Sequence, residues 1–173
     1  MNSIQKVGFG GSCHWCTEAI FQSLKGVAKV EQGWIGSDGP NSSFSEAVIV
    51  HFDRNIISLN ALIAIHLHTH SCTSKHSMRA KYRSAIYTFF NEQMHSAKEA
   101  LLELKTEFDD EIITEVLPFK GFKLNNDAYL NYYYSNPEKP FCENVVSDKL
   151  RLLLKRFANH VDGSKLASVS SAD

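Results

Sequence analysis

Ten periodic segments follow one another along this chain in the order β-α-β-β-α-β-α-β-α-α, and that order constrains the fold more than any other feature. "QKVGFGG" (5–11) reads as a strand running into a glycine turn. "HWCTEAIFQSLKGV" then carries Trp15, Ala19, Ile20 and Leu24 at helical spacing and is closed by Lys25 and Gly26. "VAKVEQGWIG" (27–36) and "SEAVIVHFD" (45–53) read as strands joined by the turn-rich "SDGPNSS". "SLNALIAIHLHTH" (58–70) reads as a helix capped by Ser58, "CTSKHSMRAKYR" (72–83) as a loop and "SAIYTFF" (84–90) as a strand. A helix over 91–108 capped by Asn91, a strand over 112–119 and a short helix over 127–137 follow. The last helix covers 146–161, with Ser147 or Asp148 as its cap.

Helices interleaved with mixed strands predict an α+β fold: a two-layer sandwich with a mixed, mostly antiparallel sheet, packed helices and a ferredoxin-like core. No internal repeat or linker breaks the chain. Residues 1–161 are expected to form one domain, and the small, polar residues 162–173 a flexible tail. At 173 residues such a domain is long enough to bury a core.

A net charge of −1 and a pI near 6.7 give no electrostatic footprint for nucleic acid. The apolar runs, such as "ALIAI" (61–65), are too short to cross a bilayer, so no membrane partner is expected. The first residues lack the apolar core of a secretory signal, which makes the cytoplasm the expected compartment. Four cysteines are too few for a disulfide scaffold; in a reducing compartment they point to buried thiols, metal ligands or catalysis.

Cys13 stands between the glycine turn and the first helical turn. Unpaired backbone N–H groups and the positive end of the helix dipole favour an anion there, which lowers a thiol's pKa and yields the nucleophilic thiolate. Cys16, three residues on, completes a C-x-x-C. That pair can form a disulfide, or hold zinc if "HLHTHSCTSKH" supplies further ligands from His66, His68, His70, Cys72 and His76. If helical, His66 and His70 share a face. Without a second C-x-x-C the zinc signal is poor, and no metal is expected.

Taken together, "GGSCHWCTEAIFQSLKGV", "GW" before a glycine turn, "SEAVIVHFD", "KYRSAIY" and "DAYLNYYYSNP" resemble the A-type peptide methionine sulfoxide reductases. That family opens "GGCFWCVEA.F..L.GV" and continues with "GYAGG", "HAEAV.V.FDP", "HDPT", "QYRSAI" and "DYHQDYY..NP", in the same order over about residues 5–160. The resemblance implies thiol-dependent reduction of methionine-S-sulfoxide, free or in oxidised proteins, as part of oxidative stress repair. Cys13 matches the nucleophile that becomes a sulfenic acid. Glu46 matches the carboxyl that protonates the departing oxygen, which develops negative charge as it leaves sulfur. Trp15 matches the wall of the methyl pocket, and Tyr132 matches an oxygen-binding tyrosine.

The chain departs from the pattern at the site. His14 replaces a phenylalanine beside Trp15, adding a titratable group next to Cys13. Trp34 replaces the tyrosine of "GY", Ser71 and Cys72 replace the aspartate and proline of "HDPT", and Ala128 replaces the first tyrosine of "DYHQDYY". The family's sulfenic acid is usually resolved by a second thiol, and a thioredoxin-like partner reduces the disulfide. Cys142 is the best positional match for that thiol, followed by Cys72 in the loop over 72–83. Cys16 comes last, because i and i+3 on a regular helix meet disulfide geometry poorly. Cys13 and Cys16 are therefore expected not to be a working pair. No cofactor is implied beyond an external thiol reductant. The alternative reading is a non-catalytic binding module on the same fold.

Overall fold

The computed structural model describes residues 3–136 and 138–165. Four strands and two helices come first: β1 (Ile4–Gly10), α1 (His14–Gln22), β2 (Val27–Gly36), β3 (Ser45–Asp53), α2 (Leu59–His68) and β4 (Ala85–Thr88). After them come α3 (Asn91–Leu104), β5 (Glu115–Pro118), β6 (Gly121–Leu124), α4 (Tyr132–Ser135) and α5 (Ser147–Phe157). The six strands form one sheet in the order β5-β4-β1-β3-β2-β6. Every pair is antiparallel except β4 with β5, which are parallel because α3 carries the chain back between them. The inner four strands, β4-β1-β3-β2, with α1 and α2 between them in sequence, form the expected ferredoxin-like core.

Strand periodicity places the core. Val48, Val50 and Phe52 on β3 and Val7 and Phe9 on β1 face the helices, where they meet Ala19, Ile20 and Phe21 of α1, Leu62 and Ile63 of α2 and Leu150 and Leu153 of α5. Phe9 and Phe21 stack with ring centroids 4.7 Å apart. The alternate residues of β3, Ala47 and Ile49, face the opposite side, where Ile35, Tyr87 and Leu117 make a smaller cluster covered by Phe89, Phe119 and Phe122. Both faces of β3 are thus buried. Among the described residues no helix is long and apolar enough to cross a membrane.

The bounds of β2 and β3 and the Ser58 cap, whose Oγ accepts from Ala61 N–H at 3.0 Å, agree with the sequence reading. Other details differ. β6 was not foreseen, being four residues long and opened by a glycine at a sheet edge. Asn91 is the first residue of α3 rather than its cap; Phe90 holds the cap position, and Gln93 Oε1 reaches back to Phe89 N–H at 2.9 Å. Neither Ser147 nor Asp148 caps α5, because a π-helical turn over Cys142–Val146 feeds directly into it. The helix expected over 127–137 is split into a 3₁₀ turn at Asp127–Tyr129 and α4, with Asn131 between them in the left-handed region at φ 54°. At the C-terminus, Lys165 Nζ donates to the carbonyls of Leu24 and Val27 at 3.0 and 3.2 Å. Of the expected tail, 166–173 lie outside the described residues.

Candidate active site

The glycine turn is built against a buried histidine pair. Gly11 has φ 146°, and a Cβ there would lie 2.5 Å from the His70 ring. His70 stacks on His66 with centroids 4.2 Å apart, although it lies beyond the end of α2. Its Nε2 bonds Ser84 Oγ at 2.8 Å, and Ser84 Oγ bonds Thr114 Oγ1 at 2.7 Å. Burial holds the His66 ring well below its ordinary pKa and pushes His70 down to about 4. Both are neutral packing partners at pH 7. Of the residues that suggested zinc, His66 and His70 floor the turn before Cys13, while His68 pairs with Glu107 and His76 caps the turn at Ser77–Ala80. Among the described residues no group of three or more His, Cys, Asp or Glu is placed to hold a metal ion.

Arg79, which carried no signal in the sequence, ties this turn down. Its guanidinium donates to the carbonyls of Gly11 at 2.8 Å, Tyr82 at 2.9 Å, Ser74 at 2.9 Å and Ser71 at 2.5 Å. The loop carrying Ser71 and Ser74 therefore meets the turn before Cys13 through one arginine.

Cys13 is the N-cap of α1, with extended backbone (φ −52°, ψ 131°), and its carbonyl accepts from Cys16 and Thr17. Its thiol is held below the ordinary value, first because the Cys16 thiol donates to its sulfur. Burial opposes this, the Trp15 and Cys16 backbone N–H groups reinforce it, and the Glu46 carboxylate opposes it. Cys16 is shifted strongly upward by the same hydrogen bond, by burial and by the Cys13 charge. The two cysteines thus influence each other's ionisation across the first turn of α1, where Cys16 is the third helical residue. Cys142, fully buried in the π turn, has its thiol raised chiefly by burial and lies within electrostatic reach of both cysteines. The groups that perturb Cys13 do not include Cys72, whose thiol is raised by burial and feels Arg79 instead.

Glu46 lies on β3, directly across from Trp34 on β2, and is 5% exposed. Its Oε1 accepts from His14 N–H at 3.3 Å, and its Oε2 is 3.6 Å from Lys81 Nζ. A carboxyl and a thiol therefore meet at one helix N-terminus. His14 is also buried; its Nδ1 bonds Gly33 O at 3.0 Å and its ring meets Trp34 edge-on at 5.1 Å. A Cβ on Gly33 would lie 1.9 Å from Lys123 O, so glycine is required where β6 crosses behind this carbonyl.

Trp15 stacks on Tyr132 at 4.1 Å and on Tyr129 at 5.8 Å, with Phe141 edge-on at 5.6 Å. Glu18, a second residue the sequence did not single out, sets this wall. Its two carboxyl oxygens accept from the N–H groups of Asn131 and Tyr132, each at 3.0 Å. Burial raises its pKa, while those two N–H groups and Gln32 oppose the shift. Gln32 in turn donates to Tyr129 O at 2.8 Å and accepts from Asn125 at 2.6 Å. The neighbouring tyrosines are packing residues: Tyr133 bonds Ser147 Oγ at 3.1 Å, and Tyr134 bonds Ser23 Oγ at 2.5 Å. The structure thus brings Cys13, Cys16, His14, Trp15, Trp34, Glu46 and Tyr132 to one end of α1, with Cys142 beneath.

Comparison with known proteins shows the family and the fold. The family profile described as peptide methionine sulfoxide reductase matches residues 5–161. A peptide methionine sulfoxide reductase MsrA from Deinococcus radiodurans is 37% identical over 87% of this chain and 81% of its own length. Mxr1 from Saccharomyces cerevisiae in reduced form shares the fold, with a TM-score of 0.71 and 18% identity over 81% of this chain and 90% of its own. Mxr1 has also been solved in complex with Trx2, a structure that matches at a TM-score of 0.61 and 16% identity over 72% and 82% of the two chains. A match that runs from the first strand to the end of the last helix, with a relative more than a third identical over most of both lengths, places this chain in the peptide methionine sulfoxide reductase family.

Proposed function

We propose that Cys13 reduces methionine-S-sulfoxide, with Glu46 as the acid. The observation that carries this reading is the meeting of a thiol held toward its thiolate and a buried carboxyl at the N-terminus of α1. The Cys13 thiolate attacks the sulfoxide sulfur. The sulfur–oxygen bond of the substrate breaks, and the oxygen, protonated from Glu46, ends on Cys13 as a sulfenic acid while methionine leaves. Trp15 and the tyrosines stacked on it supply an apolar wall for the S-methyl group.

Cys16 then attacks the sulfenic acid. Its elevated pKa comes in large part from the hydrogen bond and charge of the Cys13 sulfur. Once Cys13 carries oxygen that charge is gone, and burial alone still resists ionisation of Cys16. Cys142, within electrostatic reach of both, is the next thiol in line, and Cys72 the least favoured. The resulting disulfide is reduced by an external dithiol, in the cell a thioredoxin-like protein; the complex of yeast Mxr1 with Trx2 supports this class of partner. Peptide-bound and free sulfoxide are both candidate substrates, and the chemistry uses no metal.

The test is turnover of the S and R epimers, free and in a peptide, with dithiothreitol as reductant. Consumption of the S epimer, its loss in Cys13→Ser, and a fall of about 10²–10⁴ in Glu46→Gln are expected. Undiminished turnover in Cys13→Ser refutes the reading. Peptide mapping after one turnover without reductant identifies the partner cysteine.

A further inference from the structure

Three exposed lysines stand around the site, each with its ammonium laid over an aromatic ring. Lys123 is directly across from Trp34, which is directly across from Glu46, so the three side chains leave one face of the sheet in a single row. Two strand spacings put Lys123 about 10 Å from Glu46. Its Nζ lies 4.7 Å from the centre of the Phe44 ring, two residues before Glu46 in the chain. With β2 on one side of Glu46, the backbone N–H of Glu46 donates to Lys81 O on the other, at 3.0 Å. Lys81 Nζ lies 3.6 Å from Glu46 Oε2 and 5.2 Å from the centre of the Tyr82 ring. Lys139 Nζ lies 5.2 Å from the centre of the Tyr132 ring, which stacks on Trp15. A ring face attracts a cation and holds it while its N–H donors can still meet a carboxylate. The exposed acids of the neighbouring turns, Asp38, Asp127 and Glu138, gain no such hold, because a ring face repels an anion.

We propose that Lys81, Lys123 and Lys139 form a cationic rim that selects oxidised methionine in an acidic peptide, with aspartate or glutamate close to the sulfoxide on either side. The inference rests on the sulfoxide reductase reading and narrows its substrate. With the sulfoxide at Cys13 and Glu46, an extended peptide advances about 3.3 Å per residue, so the distance to Lys123 is about three residues. Lys81 beside Glu46 and Lys139 beside the Trp15 wall meet nearer neighbours of the sulfoxide. Free methionine sulfoxide brings one carboxylate together with an ammonium that the rim repels, so an acidic peptide fits it better. Exposed ion pairs each contribute modestly and are screened by salt. Several of one sign around a site act chiefly on capture of the substrate.

The experiment compares kcat/KM for blocked peptides in which aspartate, asparagine or lysine flanks methionine-S-sulfoxide on both sides, with dithiothreitol as reductant. At low salt the aspartate peptide is expected to exceed the asparagine peptide about tenfold, through KM more than kcat, and the lysine peptide to fall below both. The three converge at 0.5 M salt, roughly, where the screening length is a few ångströms. The double variant Lys123→Gln, Lys139→Gln brings the aspartate-to-asparagine ratio toward one; Lys81 is left in place because it also faces Glu46. Equal kcat/KM for the aspartate and asparagine peptides, or a preference that survives in the double variant, overturns the proposal. Binding of the same peptides to Cys13→Ser, read by tryptophan fluorescence, measures the rim without turnover. Tighter binding of the aspartate peptide is expected there, and equal affinities overturn the rim. Absence of turnover in the wild type with that binding preference retained refutes instead the reductase reading.

Discussion

Acid destabilises this fold through the histidine that floors the glycine turn before Cys13. His70 is pushed from the ordinary 6.5 down to about 4, chiefly by burial, with Arg79 and Lys149 adding to the effect and the His66 carbonyl opposing it. A group whose folded pKa lies below its unfolded value costs nothing above the unfolded pKa. As pH falls through 6.5 the unfolded chain takes up a proton that the folded chain refuses, so stability drops until the folded pKa is reached. Between pH 7.5 and pH 4.5 that loss from His70 alone is about 2.5 kcal/mol, at 1.36 kcal/mol per pK unit. With a urea m-value of roughly 2 kcal/mol/M, the unfolding midpoint falls by about 1 M. The reference is His70→Gln, whose amide can donate to His66 O and meet Ser84 Oγ but cannot be charged. The carboxylates titrate in both proteins, and His66 feels the His70 charge, so the difference between the two pH slopes reports His70 together with its coupling to His66. Equal slopes for wild type and His70→Gln would refute the assignment of His70 as a neutral, buried support of Gly11.

Three further outcomes follow from the site. Cys16→Ala removes the thiol that donates to Cys13, so the pH at which iodoacetamide alkylates Cys13 moves upward; an unchanged profile contradicts the contact. Glu18→Gln leaves one oxygen and one NH₂ facing two backbone N–H groups, which costs about 1–3 kcal/mol in chemical denaturation and raises KM as the Tyr132 wall loosens. Arg79→Met strips its hydrogen bonds from four carbonyls and lowers stability by roughly 2–4 kcal/mol, with kcat falling as Gly11 loses its tether; a change within 0.5 kcal/mol, by the same order-of-magnitude scale, argues against the clamp.

The α+β architecture and the two long strands β2 and β3 were legible because one signal dominated each, and Cys13 and Glu46 because of the motifs around them. The continuous apolar run "AVIV" suits β3, whose residues bury on both faces, and a glycine turn before a helix marks Cys13. What escaped the sequence was decided by contacts across long separations. Arg79 and Gly11 are 68 residues apart, and Glu18 and Tyr132 are 114 apart, so no local pattern announces either pair. The low rank of Cys16 rested on regular-helix i, i+3 geometry, whereas Cys13 is the N-cap of α1 with a non-helical backbone. The histidine cluster was ambiguous because the same residues serve as ligands when they are exposed to a metal and as neutral packing when they are buried.

In the proposed reaction Cys13 takes the oxygen. A chain in which Cys16, Cys72 and Cys142 are all serine retains Cys13 alone. Mixed with excess methionine-S-sulfoxide in the absence of reductant, it is expected to release one equivalent of methionine. Dimedone, which traps sulfenic acids, should then be found on Cys13 by peptide mass spectrometry. Methionine release without a label on Cys13, or no release from a folded chain, contradicts the account.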